Sequence, residues 1–141
     1  MRPVSYYKSL PKQTFFGVGG KKETYGDCWR CAIAAVIGYP FERVPHFLQV
    51  YGPLDCDKET AKWLRKEGYE IVYTPPYMAQ ALDGGYIRHP MIAAGPTERS
   101  RGMGRLHAVV YQNGKLVYDP HPTEVGLTAI TSWYLVVPIK K

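Results

Sequence analysis

Long apolar runs are missing from this sequence of 141 residues. No stretch approaches the roughly 18 consecutive apolar residues a membrane span needs, so no membrane partner is expected. The opening residues, MRPVSYYKSLPKQTFFG, carry charge without a continuous apolar core. That argues against a signal peptide and leads to the expectation of a cytoplasmic protein. Cysteine is scarce: only Cys28, Cys31 and Cys56 are present. An odd count without a signal peptide argues against a disulfide framework and leaves at least one thiol free for chemistry. Acidic residues are outnumbered, 12 against 18 basic ones, giving a net charge of +6. The excess favours acidic partners, but the basic residues are spread along the chain. Arg99, Arg101 and Arg105 form the one local cluster, so nucleic-acid binding is not indicated. Internal repeats and low-complexity tracts are absent as well. The run Gly17-Val18-Gly19-Gly20-Lys21-Lys22 lacks the spacing of a phosphate-binding loop.

What is present reads as an ordinary globular chain, 45% hydrophobic and 21% charged. Its length fits a single domain, residues 1–141, able to bury a core unaided. Residues 1–20 show no helical period and read as an extended arm and loop. CWRCAIAAVIG is apolar on nearly all sides and stops at a glycine. It predicts a buried helix over 28–37, with Asp27 as N-cap and Gly38 as the C-terminal stop. The three prolines within 40–54 suggest short helical turns. A second helix is expected over 57–67, capped by Asp55 or Asp57 and stopped by Gly68. Strands are expected over 69–73, 86–94 and 133–139, with an irregular stretch or a short helix over 74–83. Pro90 inside the second of these strands suggests an edge or a bulge. Two β-rich runs flank Asn113-Gly114 and read as a hairpin. Helices first and mostly antiparallel strands afterwards predict an α+β fold with helices packed on one sheet.

The chemistry begins at Cys28. A thiol at the first turn of a helix meets free N–H groups and the positive end of the dipole, and both stabilise a thiolate. A thiolate nucleophile needs a base, and His107 opens the hairpin. With a three-residue turn, Gln112-Asn113-Gly114, Tyr111 faces Lys115 and His107 faces Asp119. A two-residue turn leaves Asp119 diagonal to His107. Either register puts the two Cβ atoms about 4.5–8 Å apart, near enough for a base and its orienting acid.

GDCWRCAIAAVIGYP, followed by HAVVYQNGKLVYDPHP, resembles the papain-like cysteine peptidases. The similarity extends to small bacteriophage and bacterial members related to bacteriocin-processing peptidases. It covers about residues 12–127 in the order Gln, Cys, His, Asp. The resemblance implies a papain-like α+β fold with the nucleophile at the start of the central helix. It implies a cysteine hydrolase (a peptidase, isopeptidase or amidase) working through Cys28, His107 and Asp119, with no cofactor and no metal. Gln13 is implied as an oxyanion donor beside the backbone N–H of Cys28. A bacterial or infected host cytoplasm is the implied setting, and a protein or peptide the implied substrate. The same triad also serves acyl transfer in relatives of this fold. Peptidoglycan cleavage would normally require export.

Other residues fit around this centre. Trp29 is expected in the core or the cleft wall. Arg99, Arg101 and Arg105, in the glycine-rich loop before His107, could bind acidic substrate groups or ride on a lid. Cys31 reads as a core cysteine and His121 as a loop histidine between prolines, while His46 and His89 have no partner in sequence. Three readings compete. Cys28-Trp29-Arg30-Cys31 is a CxxC, as in thiol–disulfide oxidoreductases, but no buried strand precedes it. Cys28, Cys31, Cys56 and a histidine could bind zinc, although one CxxC without a second pair is a weak zinc pattern. A phage protein could also keep this fold only to bind a host factor.

Overall fold

The computed structural model describes residues 2–16, 26–74, 89–100 and 106–139. The central helix, α2 (Cys28–Ile37), has the bounds expected from sequence. Its residues from Cys31 to Ile37 are all buried. Gly38 ends it in a left-handed conformation, φ 78°, where an L side chain is disfavoured. Asp27 does not cap it: its carboxylate makes no cap hydrogen bond to the helix N–H groups and accepts from the amino-terminal arm instead. The amino-terminal arm also departs from expectation, because Val4–Lys8 forms a short helix, α1, that buries Tyr7.

After a 3-10 turn at Phe41–Arg43, α3 (Phe47–Lys66) follows in two helical limbs. Gly52 (φ 81°, ψ 167°) is not helical and breaks them, so a short helix within the stretch expected as turns precedes the second helix, as the prolines suggested. Pro53 starts the second limb, where its missing N–H costs no hydrogen bond.

Five strands follow: β1 (Tyr69–Thr74), β2 (Met91–Gly95), β3 (His107–Gln112), β4 (Lys115–Tyr118) and β5 (Ser132–Pro138). They form one sheet in the order β1-β5-β2-β3-β4. Every pairing is antiparallel, so the fold class is α+β. β2 lies in the interior between β3 and β5, not at an edge as Pro90 suggested. The proline precedes the paired residues, so it withholds no donor from the ladder. The other expected residues of this strand, 86–88, lie outside the described residues, as does most of the irregular stretch over 74–83.

Alternation divides the core in two. Ile92, Ala108 and Val110 face α2, with Tyr118 joining them. Met91, Ala93, Val109 and Trp133 face the opposite side, covered by Leu127 and Ile130. That cover approaches closely. A Cβ on Gly95 would lie 1.9 Å from the Ala129 carbonyl oxygen, so only glycine lets the backbones pass.

Candidate active site

The hairpin takes the two-residue register. Gln112 pairs with Lys115, and Asn113 (φ 60°) and Gly114 (φ 77°) make the turn. Two successive positive φ values mark a type I′ turn, which matches the twist of the flanking strands. A bulge between Val110 and Tyr111 then shifts the pairing, so that Val110 meets Tyr118. Asp119 therefore sits just past the end of β4, diagonal to His107. The three-residue register, with the two residues directly opposed, is not adopted.

From that diagonal position the carboxylate reaches the ring: His107 Nε2 lies 2.6 Å from Asp119 Oδ1. The Cys28 thiol hydrogen-bonds to the same imidazole, and with Nε2 taken, Nδ1 is the nitrogen left for it. α2 packs directly on β3, which brings the helix start to the strand start. Cys28 is partly exposed, whereas His107 and Asp119 are buried.

Burial opposes the charge on His107. The hydrogen bonds to Asp119 and Cys28 outweigh it and hold the imidazole at about 9. Burial likewise raises the Asp119 carboxyl. Three donors reverse the sign and hold it below the usual carboxylate range: the His107 ring and the backbone N–H groups of His121 and Gly126. Those two backbone donors lie at 2.9 and 2.8 Å. Burial pushes the other two thiols up, Cys56 to about 11 and Cys31 well above the ordinary thiol range, where it hydrogen-bonds Tyr118. Both are therefore neutral and poor nucleophiles near neutrality.

Gln13 reaches this centre along an arm stitched at several points. Pro11 O accepts from the Tyr118 hydroxyl at 2.6 Å, and Gln13 N–H donates to Pro120 O at 2.9 Å. Asp27 Oδ1 accepts the N–H groups of Thr14 and Phe15, each at 3.0 Å. The residue read as an N-cap thus ties the Gln13 segment to the residue next to Cys28. Gln13 is buried; its amide N–H donates to Phe15 O at 2.6 Å, and its Oε1 has no partner among the described residues. A primary amide carries two N–H groups, so one remains for a ligand.

The structure leaves the remaining residues in varied positions. Arg99 hydrogen-bonds Thr123 Oγ1 at 3.0 Å, close enough to His121 to help depress its imidazole together with the larger effect of burial. Arg101 and Arg105 lie outside the described residues. His121 stands at the site after all, its ring centroid 6.3 Å from that of His107 and its other side against Phe16. His46 stacks on Phe15, and His89 is exposed ahead of β2. Trp29 Nε1 donates to Thr60 Oγ1 at 3.0 Å, and the indole lines a cleft with Asp57, Ile71, Tyr73 and Tyr134. Among the described residues, no group of three His, Cys, Asp or Glu side chains is placed to hold a metal ion, and no helix is long and apolar enough to cross a membrane. Comparison with family models, with curated proteins and with solved structures finds no match to this chain.

Proposed function

We propose that this protein is a papain-like cysteine hydrolase that cleaves an amide, isopeptide or thioester bond through a covalent acyl-enzyme. One observation carries the reading: a single buried imidazole is bonded by a carboxylate on one nitrogen and by a helix-start thiol on the ring's other side. A structural histidine needs one such partner. A thiol and a carboxylate on the same ring make a nucleophile, a base and an orienting acid. The nucleophile on the central helix, packed against an antiparallel sheet that supplies the base, supports the papain-like form of the α+β fold.

Each step follows from these positions. His107 takes the thiol proton, leaving a thiolate beside an imidazolium. The thiolate attacks the carbonyl carbon, and the Cys28 N–H and the Gln13 amide hold the oxyanion. His107 returns the proton to the leaving group, and water, or another acyl acceptor, then resolves the thioester. Asp119 keeps Nδ1 aimed at sulfur and favours the charged ring. A Cys28–Cys31 redox pair is disfavoured because Cys31 is 1% exposed and packed in the core. Insulin reduction separates that activity from hydrolysis.

Alkylation by iodoacetamide at graded pH, read by mass spectrometry, tests the proposal. Cys28 is expected to react at least about tenfold faster than Cys31 and Cys56 near pH 7, since the attacking species is the thiolate. His107→Ala is expected to slow Cys28 to the rate of an ordinary exposed thiol of pKa about 8.5, while the buried Cys31 and Cys56 stay slower still. Equal, slow labelling of all three cysteines would overturn the reading.

A further inference from the structure

Among the described residues, the sheet's helical face is left uncovered at one corner. Ile71 and Tyr73 on β1 lie opposite Val136 and Tyr134 on β5, and Tyr134 and Val136 pack toward the helices. Beyond them the cover stops: Tyr73 is 56% exposed although it lies on that face. The result is a cleft of about 330 Å³ walled by Trp29, Ile71, Tyr73 and Tyr134, with Asp57 of α3 at its side. A volume at the low end of the roughly 300–1,000 Å³ range of ligand sites suits one side chain better than a folded partner.

Its chemistry is specific. Tyr134 packs T-shaped on Trp29, with ring centroids 4.9 Å apart, and tilted on Tyr73, with centroids 5.5 Å apart. Three aromatic rings are thus held in one wall, and rings so held attract a cation through their π faces. Asp57 is exposed at the cleft and forms none of the ion pairs found among the described residues. Two of its walls are chain neighbours of cysteines that bear on the site: Trp29 follows Cys28, and Asp57 follows Cys56.

Resting on the cysteine-hydrolase reading, we infer that this cleft is the specificity subsite and receives a long basic side chain, arginine or lysine, of a peptide substrate. The aliphatic stem lies on Ile71 and the rings, and the cationic head meets the π faces and the Asp57 carboxylate. An acidic side chain would face like charge there, and a neutral one would leave the carboxylate unused. The net charge of +6 favours acidic partners at long range, but at contact distance the local carboxylate and rings decide.

Arginyl and citrullinyl peptide chloromethyl ketones, equal in shape and differing in charge, provide the test on the full chain. Alkylation of Cys28 by the arginyl reagent is expected to be about tenfold faster, a difference of the size that a cation–π contact with a nearby carboxylate supplies. In Asp57→Asn the ratio of the two rates should fall toward one, and Asp57→Lys should invert the preference in favour of a glutamyl reagent. Equal rates for the arginyl and citrullinyl reagents, with iodoacetamide still labelling Cys28 rapidly and in a His107-dependent way, would overturn the subsite and leave the nucleophile standing. Slow iodoacetamide labelling would instead overturn the nucleophile, and the subsite with it. Calorimetric titration with acetyl-arginine amide and acetyl-citrulline amide reads the cleft without chemistry: binding of the first alone supports it, and equal or absent binding refutes it.

Discussion

Asp119 illustrates how much one side chain is asked to do. It accepts from a ring and from two backbone N–H groups, and burial makes each of those bonds matter more. Replacing it with Asn keeps the shape and removes the charge. Its pull on the imidazole is then lost, so His107 should titrate well below its present value of about 9. Histidine proton shifts followed by NMR against pH would show the change, and an unmoved titration would contradict the assigned pairing. Gln13 calls for a different readout. An oxyanion donor matters when a carbonyl is attacked and is idle when a thiol is alkylated. Gln13→Ala is therefore expected to slow acylation by a p-nitrophenyl ester about 10²–10³-fold, with iodoacetamide labelling of Cys28 changed little. Parallel losses in both assays would mean that Gln13 supports the nucleophile itself.

Among the elements, those legible in the sequence were set by local chemistry. α2 is an unbroken apolar run that ends where a glycine turns left-handed, so its bounds could be read directly. The hairpin announced itself through Asn113-Gly114, and with it the nearness of His107 and Asp119. Its register was not readable in advance, because the bulge at Val110 and Tyr111 is a response to packing. α1 escaped notice because five residues are too few to show a period. Gly52 and Pro53 read as a break, and Gly52 does interrupt the helix, Pro53 opening the second limb. The role of Asp27 was hidden by its position: an acid before a helix reads as a cap unless the arm it binds is known. The cleft at Asp57 was invisible for a similar reason, since its walls come from four elements distant in sequence. Gly95 supplies a prediction at this scale. It pairs with His107 across the β2–β3 ladder, and the Ala129 carbonyl passes over it. Gly95→Ala should destabilise the protein by about 3 kcal/mol, measurable by urea denaturation. A loss below about 0.5 kcal/mol would show that the covering segment yields easily.

For the molecule as a whole, the buried ion pair should leave its mark on the dependence of stability on pH. His107 is raised from its usual 6.5 to about 9, so its contribution is complete below pH 6.5 and is lost as the pH rises through about 9. Asp119 is depressed from 3.8, so its contribution is present above that pH and is lost as acid carries it through its lower folded value. Stability from this pair should therefore be greatest between about pH 4 and 6.5, declining by an amount on the order of 2–3 kcal/mol toward pH 9. Urea midpoints measured across that range check it, and His107→Gln should flatten the alkaline decline. The loop after β4 has a practical consequence of its own. Its two backbone N–H groups hold the carboxylate, His121 on the oxygen that also meets the imidazole and Gly126 on the other, so that this anchorage survives when the ring is exchanged. On the proposed hydrolase reading, a chain disarmed at residue 107 keeps its shape and serves as bait, retaining its targets on an affinity column.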